Sequence, residues 1–199
     1  MKRRDFLKEV VAVPTVVAAW KWYGAADPLC RKRVEISAVL YDERYADSRA
    51  FATALERQGV RSFATFGDAA SVWYGALRAT RARSGGSIAG MATDSDWVVS
   101  RACGREQGLG VAYEGSHDWR VPDRLVHRLY GNGLEREVYS ALLDLDTVWY
   151  EAVASALLRA GRAERVKVGR SLAIADAATR VFTGHPGYLT SWLLDPSVF

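Results

Sequence analysis

Short apolar runs alternate with amphipathic segments along most of this chain. The runs 34–41, 60–65, 88–92 and 109–113 are rich in aliphatic residues and have the length of buried strands. The segments between them carry apolar residues at helical spacing, which predicts an amphipathic helix after each of the first three strands. Repeated strand-helix-strand units predict an α/β fold, with an open, mostly parallel sheet of flavodoxin-like units and helices on both faces.

Polar residues and glycines mark where these helices begin and end. Asp47 or Ser48 is a candidate N-cap for the first helix, and Gly59 lies where that helix stops. Asp68 is the candidate cap of the second helix, and the third begins in the polar run 93–96. The predicted inward faces are Val72, Trp73, Ala76 and Leu77 in the second helix, and Val98, Val99, Ala102 and Cys103 in the third.

The pattern changes after Pro122. Residues 134–160 carry apolar side chains at helical spacing, which predicts one long helix or two abutting ones over the sheet, and His127 falls in a predicted helix. Residues 170–182 fit a helix or a strand equally well. Weak alternation over 188–194 predicts a last strand, with an antiparallel position at an edge of the sheet as its candidate place.

The first 26 residues have the organisation of an export signal. Two adjacent arginines precede an apolar core at 10–20, which is shorter than the roughly 20 residues a membrane span needs. Small residues at 24–26 offer a cleavage site, and an uncleaved interfacial anchor is the alternative. We therefore expect a signal at 1–26 and a single domain at 27–199. The signal residues are Arg3, Arg4, Phe6 and Leu7.

The net positive charge comes mainly from this segment. The chain holds 27 basic and 23 acidic residues; residues 1–26 contain five basic and two acidic ones, which leaves 22 and 21. A nearly neutral domain gives no electrostatic reason to expect nucleic acid as a partner. The two cysteines, Cys30 and Cys103, are far apart, and no Cys/His spacing predicts a metal site. We expect Cys103 to be a buried thiol.

Several short motifs support the export prediction. They are Leu-Tyr-Asp-Glu-Arg at 40–44, Asp-Ser-Arg at 47–49, Gly-Asp before Trp73 and Tyr74, and Ser-Trp-Leu-Leu-Asp-Pro at 191–196. In this layout the chain resembles an uncharacterised family of roughly 200-residue proteobacterial proteins that carry twin-arginine signals. The resemblance implies export and implies no chemistry.

Candidate site residues lie at the predicted strand ends. In an open parallel sheet, ligands bind beyond the carboxyl ends of the strands, where the strand order reverses. With an order of 2-1-3-4, the reversal falls between the first and third strands. The candidate ligand-binding residues there are Asp42, Arg44, Thr93, Ser95 and Glu114, and the catalytic candidates are Ser116, His117 and Asp94.

The usual catalytic and nucleotide motifs are absent. The chain has no Gly-x-Ser-x-Gly elbow and no glycine-rich phosphate loop after a strand. Acidic strand ends are typical of phosphoacceptor domains, but an exported location argues against that role. Asp94 and Asp96 fit a helix cap and partners of the helix dipole better than an anion site.

Three functions from different classes remain open. We favour an exported, periplasmic binding or accessory protein that works with an exported enzyme, because no catalytic motif is present. The alternatives are a small hydrolase-like enzyme that uses strand-end residues around His117, and a sensor of a small ligand. The expected partners are the twin-arginine translocase and an exported protein, with no stable membrane span. The sequence leaves open whether the chain is an enzyme and which cofactor it would use.

Overall fold

A mixed α/β sheet organises the protein. The computed structural model describes residues 35–120, 124–131, 133–144, 147–162, 171–178 and 187–198. The strands form one open sheet in the order β2-β1-β3-β7-β4-β5-β6. The export segment, Cys30 and His185 lie outside the described residues.

The first half of the fold follows the predicted alternation. Its elements are β1 (Ile36–Tyr41), α1 (Ala46–Glu56), β2 (Arg61–Ala64), α2 (Ala69–Val72), a π-helical stretch (Trp73–Leu77), α3 (Arg78–Ser84) and β3 (Ser87–Ala92). β1 pairs in parallel with β2 on one side and with β3 on the other. Gly59 and Gly85 have φ values of 83° and 64°, so they end α1 and α3 in a conformation that costs glycine little. Asp68 caps α2 as predicted, because its side chain accepts a hydrogen bond from Ser71 N at 3.1 Å.

The second half departs from the predicted parallel sheet. Its elements are α4 (Asp94–Glu106), β4 (Gly110–Asp118), β5 (Arg124–Gly131), α5 (Leu134–Leu142), α6 (Trp149–Arg162), β6 (Ser171–Ala178), β7 (Tyr188–Asp195) and a short 3-10 turn (Pro196–Val198). The prediction of a mostly parallel sheet is wrong: β7 pairs antiparallel with β3 and with β4, and β5 pairs antiparallel with β4 and with β6. The last strand lies in the middle of the sheet and not at its edge.

Two local predictions are wrong, and two segments that were left open between alternatives are resolved. His127 lies in β5 and not in a helix. The ambiguous segment contains β6, and the apolar region after residue 133 forms two helices, α5 and α6, as one of the two predictions had it. The inward face of α4 is also rotated, because Trp97, Ser100 and Cys103 are buried whereas Val98 is 60% exposed.

Each face of the sheet carries its own apolar core. On one face, α1, α5 and α6 cover a core that contains Phe51, Leu55 and Leu157. On the other face, the helical segment 69–84 and α4 cover a core around Trp73. Burial of each such side chain contributes about 1.5–3 kcal/mol to stability. Cys103 is buried with a free thiol, as expected.

One aromatic residue fixes the place of β7 beside β3. Trp192 is fully buried and lies opposite Gly90 in the antiparallel pair. A Cβ atom at position 90 would lie 2.1 Å from Cζ2 of Trp192, which shows that the indole ring rests directly on the glycine backbone. The ring also packs on Trp97 of α4, with centroids 5.3 Å apart.

The α-helices of the described ranges are between 4 and 14 residues long. No helix in those ranges is long and apolar enough to cross a bilayer.

Candidate functional site

The carboxyl ends of four strands meet at one edge of the sheet. β1, β2 and β3 are parallel neighbours, and β4 has the same direction because β7 runs antiparallel to both β3 and β4. Asp42, Thr65 and Thr93 directly follow β1, β2 and β3. The strand order reverses at β1, so this edge is where an open sheet of this kind binds ligands.

Asp42 and Arg44 form a rigid ion pair at this edge. The carboxylate of Asp42 is fully buried, and Arg44 donates to it from Nε at 2.9 Å and from Nη2 at 2.6 Å. These hydrogen bonds raise the pKa of Arg44 above its ordinary value. The Arg44 side chain remains 49% exposed, and its Nη1 has no hydrogen-bond acceptor among the described residues. The pair thus presents a fixed cation to solvent.

Ser48 joins the ends of β1 and β3. Its hydroxyl accepts a hydrogen bond from Asp42 N at 2.8 Å and donates to the carbonyl of Met91. Ser48 is therefore buried in the reversal point and does not cap α1, whose N-cap position is Tyr45. The crevice is closed at its base by this bridge.

The turn after β2 holds an exposed phenylalanine in a strained conformation. Phe66 has a φ of 50°, Gly67 has a φ of 84°, and Asp68 N donates to the Thr65 carbonyl at 2.7 Å. Positive φ at both central residues is the pattern of a type I′ turn, in which asparagine, aspartate and glycine are the usual residues. Phe66 is nevertheless 63% exposed. A bulky side chain is therefore kept in solvent at a cost in backbone energy.

The carboxylate of Asp96 fixes this turn through hydrogen bonds. Its carboxylate, only 2% exposed, accepts hydrogen bonds from the Thr65 hydroxyl at 2.7 Å and from Ala69 N at 3.3 Å. A Cβ atom at Gly67 would lie 2.6 Å from Nη2 of Arg44, so the guanidinium packs against the turn. Asp96 thus positions the turn and does not cap α4.

The other candidates at the edge lie nearby but are not joined to this network. Thr93 occupies the N-cap position of α4 without a capping hydrogen bond from its side chain, and its hydroxyl contacts that of Ser95 at 3.0 Å. Asp94 and Ser95 are exposed in the first turn of α4. Their side chains are accessible to a ligand at the end of β3.

Glu114, Ser116 and His117 lie inside β4 and not in the loop after it. The strand continues to Asp118, five residues beyond the predicted end at residue 113. Successive side chains in a strand point to opposite faces, so Ser116 and His117 cannot act together. The structure therefore does not bring the catalytic candidates Ser116 and His117 together at the edge.

His117 belongs to a buried chain of hydrogen bonds that the sequence did not reveal. Its Nε2 contacts the Ser191 hydroxyl at 2.8 Å, and its Nδ1 contacts Nδ1 of His127 at 2.6 Å. The Tyr113 hydroxyl contacts Ser191 Oγ at 3.1 Å. These side chains are fully buried beneath Trp149, whose ring centroid lies 4.4 Å from that of His117.

One direction of hydrogen bonding that fits these contacts runs from Tyr113 to His127. In this direction the Tyr113 hydroxyl, which has no second partner among the described residues, donates to Ser191. Ser191 then donates to Nε2 of His117, and His117 donates from Nδ1 to Nδ1 of His127. Burial lowers the pKa of His117 well below its ordinary value, and the nearby His127 adds to that shift. Burial also raises the pKa of Tyr113.

Ser191 and His117 have the residue types of a nucleophilic dyad, but a substrate cannot reach them. Ser191 and His117 are both 0% exposed. A serine nucleophile must reach a substrate carbonyl and a group that stabilises the oxyanion. These hydrogen bonds therefore hold β4, β5 and β7 together and do not support acyl transfer.

A second ion-pair group lies at the end of β4. Arg120 donates to Asp118 from Nε at 2.8 Å and from Nη2 at 2.9 Å, and Arg128 Nη1 lies 3.6 Å from the same carboxylate. The Arg120 hydrogen bonds lower the pKa of Asp118 to about 2. Asp118 is therefore ionised at every pH at which the protein is expected to work.

Comparison with known proteins does not indicate which reaction or ligand belongs to this site. Neither family models nor curated proteins nor solved structures matched the chain. In the described part of the chain, no three or more His, Cys, Asp or Glu side chains are grouped to hold a metal ion.

Proposed function

We propose that this protein is a periplasmic, non-catalytic binding or accessory protein that contacts an exported partner at the carboxyl edge of β1 and β2. The contact surface consists of Arg44, Tyr45 and Phe66, which we call the aromatic edge. The observation that carries the proposal is the conformation of Phe66, which is strained and exposed at once. Strain of this kind is typical of functional sites.

The energetics favour a role in binding over a role in folding. A phenylalanine with positive φ costs roughly 1–2 kcal/mol relative to its relaxed conformations, and an exposed ring recovers little of this by burial. The network of Thr65, Asp96 and Arg44 holds the turn in place. The ring is therefore presented rigidly, so a partner would lose little conformational entropy when it covers Phe66.

Arg44 indicates the polar chemistry of the partner. Asp42 orients its guanidinium, and Nη1 is directed to neither carboxylate oxygen. The guanidinium carbon also lies 5.5 Å from the ring centroid of Tyr45. Arginine and aromatic side chains are enriched in protein interfaces. We expect the partner to offer an apolar socket for Phe66 and a carboxylate or carbonyl for Arg44.

Replacement of Phe66 is expected to increase stability and to abolish partner binding. Asparagine tolerates positive φ better than phenylalanine does, so Phe66→Asn should raise the free energy of unfolding by about 1 kcal/mol. Urea denaturation measures that gain. Native mass spectrometry of the wild-type and variant proteins isolated from periplasm measures the complex.

Val98 offers the matched control, because it is an equally exposed apolar residue on α4, outside the aromatic edge. Val98→Asn should leave the complex intact. A wild-type protein that is isolated as a lone monomer, or a complex that survives Phe66→Asn, would contradict the proposal.

Export itself can be tested separately. A reporter fused behind residues 1–26 should reach the periplasm, and changing Arg3 and Arg4 to lysine should stop it. The measurement is reporter activity in the periplasmic fraction. Unchanged export of the double-lysine variant would refute the twin-arginine route and leave the aromatic edge proposal untouched.

A further inference from the structure

A small pocket lies beside the middle of β4, on the face of the sheet that carries Trp192. It has a volume of about 230 Å³ and is lined by Val111, Glu114, Tyr130 and Gly131. We call it the Glu114 pocket. Glu114 precedes the end of β4 by four residues, or about 13 Å at the usual strand rise, so the pocket is separate from the aromatic edge.

An irregularity in β4 brings two of the lining residues to one face of the sheet. The pairing with β7 shifts between Val111 and Tyr113, where Ala112 is inserted as an extra residue. Val111 and Glu114 therefore point to the same face, although three positions separate them. Bulges of this kind are common next to functional sites, because they redirect side chains.

Glu114 is a carboxylate without a partner in the described part of the chain. It is partly buried, and no hydrogen bond or ion pair satisfies it there. Arg128 lies diagonally opposite on β5, within reach of a long side chain, but its guanidinium is directed to Asp118 at 3.6 Å. The nearby cation is thus engaged elsewhere, and the Glu114 carboxylate remains available.

Aromatic and glycine residues complete the pocket. Tyr130 is paired directly with Glu114 across β4 and β5, and it is 40% exposed. Directly paired side chains lie about 5 Å apart at Cβ, so the ring and the carboxylate can contact one ligand. Gly131 lines the pocket with its backbone.

We propose that the Glu114 pocket binds a small organic cation with an alkylammonium group. The Glu114 carboxylate would pair with the charge, and the Tyr130 ring and Val111 would contact the alkyl groups. An aromatic ring attracts such a cation through its quadrupole. One carboxylate without further oxygen ligands does not suit a metal ion, which requires several. The volume is below the roughly 300 Å³ of typical drug-sized sites, which favours a small ligand.

Titration with choline tests the proposal, and its uncharged isostere 3,3-dimethylbutan-1-ol supplies the matched comparison. The full chain is titrated while backbone amide shifts are followed by NMR. We expect saturable shifts around residues 111–114 and 130–131 with choline, and at least about tenfold weaker binding of the alcohol.

Variants separate the two contacts. Glu114→Gln should weaken choline binding about tenfold, Tyr130→Leu about fivefold, and Tyr130→Phe, which keeps the ring, should leave it unchanged. Glu137→Gln removes an exposed carboxylate on α5 and is the control for net charge. No saturable choline binding, equal binding of the alcohol, shifts confined to other residues, or full binding by folded Glu114→Gln would each overturn the proposal. None of these outcomes bears on the aromatic edge.

Discussion

Acidification from pH 7 to pH 5 is expected to destabilise the protein through His117, by at most about 2 kcal/mol. Burial and the neighbouring His127 lower the pKa of His117 well below the ordinary value of 6.5. Between those two pKa values the unfolded chain binds one proton more than the folded protein. Stability therefore rises with pH through this window and falls as pH decreases below about 6.5, by at most about 1.4 kcal/mol per pH unit.

The hydrogen-bond chain explains why the folded protein resists this protonation. With the hydrogen bonds directed from Tyr113 to His127, a protonated His117 would have two donor nitrogens, and its Nε2 would face the hydroxyl proton of Ser191. Ser191 and Tyr113 would both have to reverse their hydrogen bonds, which leaves the Tyr113 hydroxyl without an acceptor among the described residues. Loss of a buried hydrogen bond adds to the cost of burying the charge.

Urea unfolding at a series of pH values measures the effect. His117→Gln should lower stability at pH 7 and flatten the slope between pH 7 and pH 5. Asp118→Asn is the control: the lowered pKa of Asp118, about 2, makes its stabilisation disappear only below about pH 4. A wild-type slope that His117→Gln leaves unchanged would refute the role of His117.

Gly90→Ala is expected to destabilise the protein by about 3 kcal/mol. The added Cβ would lie 2.1 Å from Cζ2 of Trp192, and the indole ring has no room to move because it is fully buried against Trp97. The strain must therefore open the pairing of β3 with β7. Thermal or urea unfolding, monitored by tryptophan fluorescence, measures the loss.

A double-mutant cycle separates this steric effect from a loss of strand propensity. Trp192→Leu creates space above residue 90 at the cost of a cavity. Gly90→Ala should then cost much less in the Trp192→Leu background, which gives a coupling energy of more than about 1 kcal/mol. Additive effects of the two substitutions would show that the ring contact does not fix the strand pair.

The first half of the fold could be predicted because its signals are local. Each strand there is a short aliphatic run, and glycines with positive φ end its helices. The predicted inward face of α4 was wrong for a reason beyond the helix itself. Gly104 lies on the buried face, where a Cβ atom would approach Leu194 Cδ1 to 2.7 Å. The close contact with β7 requires a small residue at this position. The hydrophobic pattern of the helix does not show this requirement.

β5 could not be identified from its own sequence. Its inward face is Leu125, His127 and Leu129, and a histidine in the middle breaks the apolar alternation that predicts a strand. His127 is accepted there because His117 lies opposite and forms a hydrogen bond with it. β5 can be recognised as a strand only when it is aligned in register with β4. The sequence of β5 alone does not contain that information.

The candidate site was predicted only in part, because its composition also depends on how the strands pair. Asp42 and Thr93 share an edge because β1 and β3 are parallel neighbours, which the alternation indicated. Glu114 does not join them because β4 is longer than its apolar run and β7 separates β3 from β4. Phe66 was missed because a turn residue before a glycine carries no sign of its φ value.

The central position of β7 has a consequence for synthesis of the protein. Before residues 188–195 emerge from the ribosome, the sheet consists of two separate sets of strands, β2-β1-β3 and β4-β5-β6. Each set exposes an open edge, and such edges are prone to pair with other chains. We expect the nascent chain to need protection until its last strand is made, and a ribosome that stalls shortly before it to yield an aggregation-prone product.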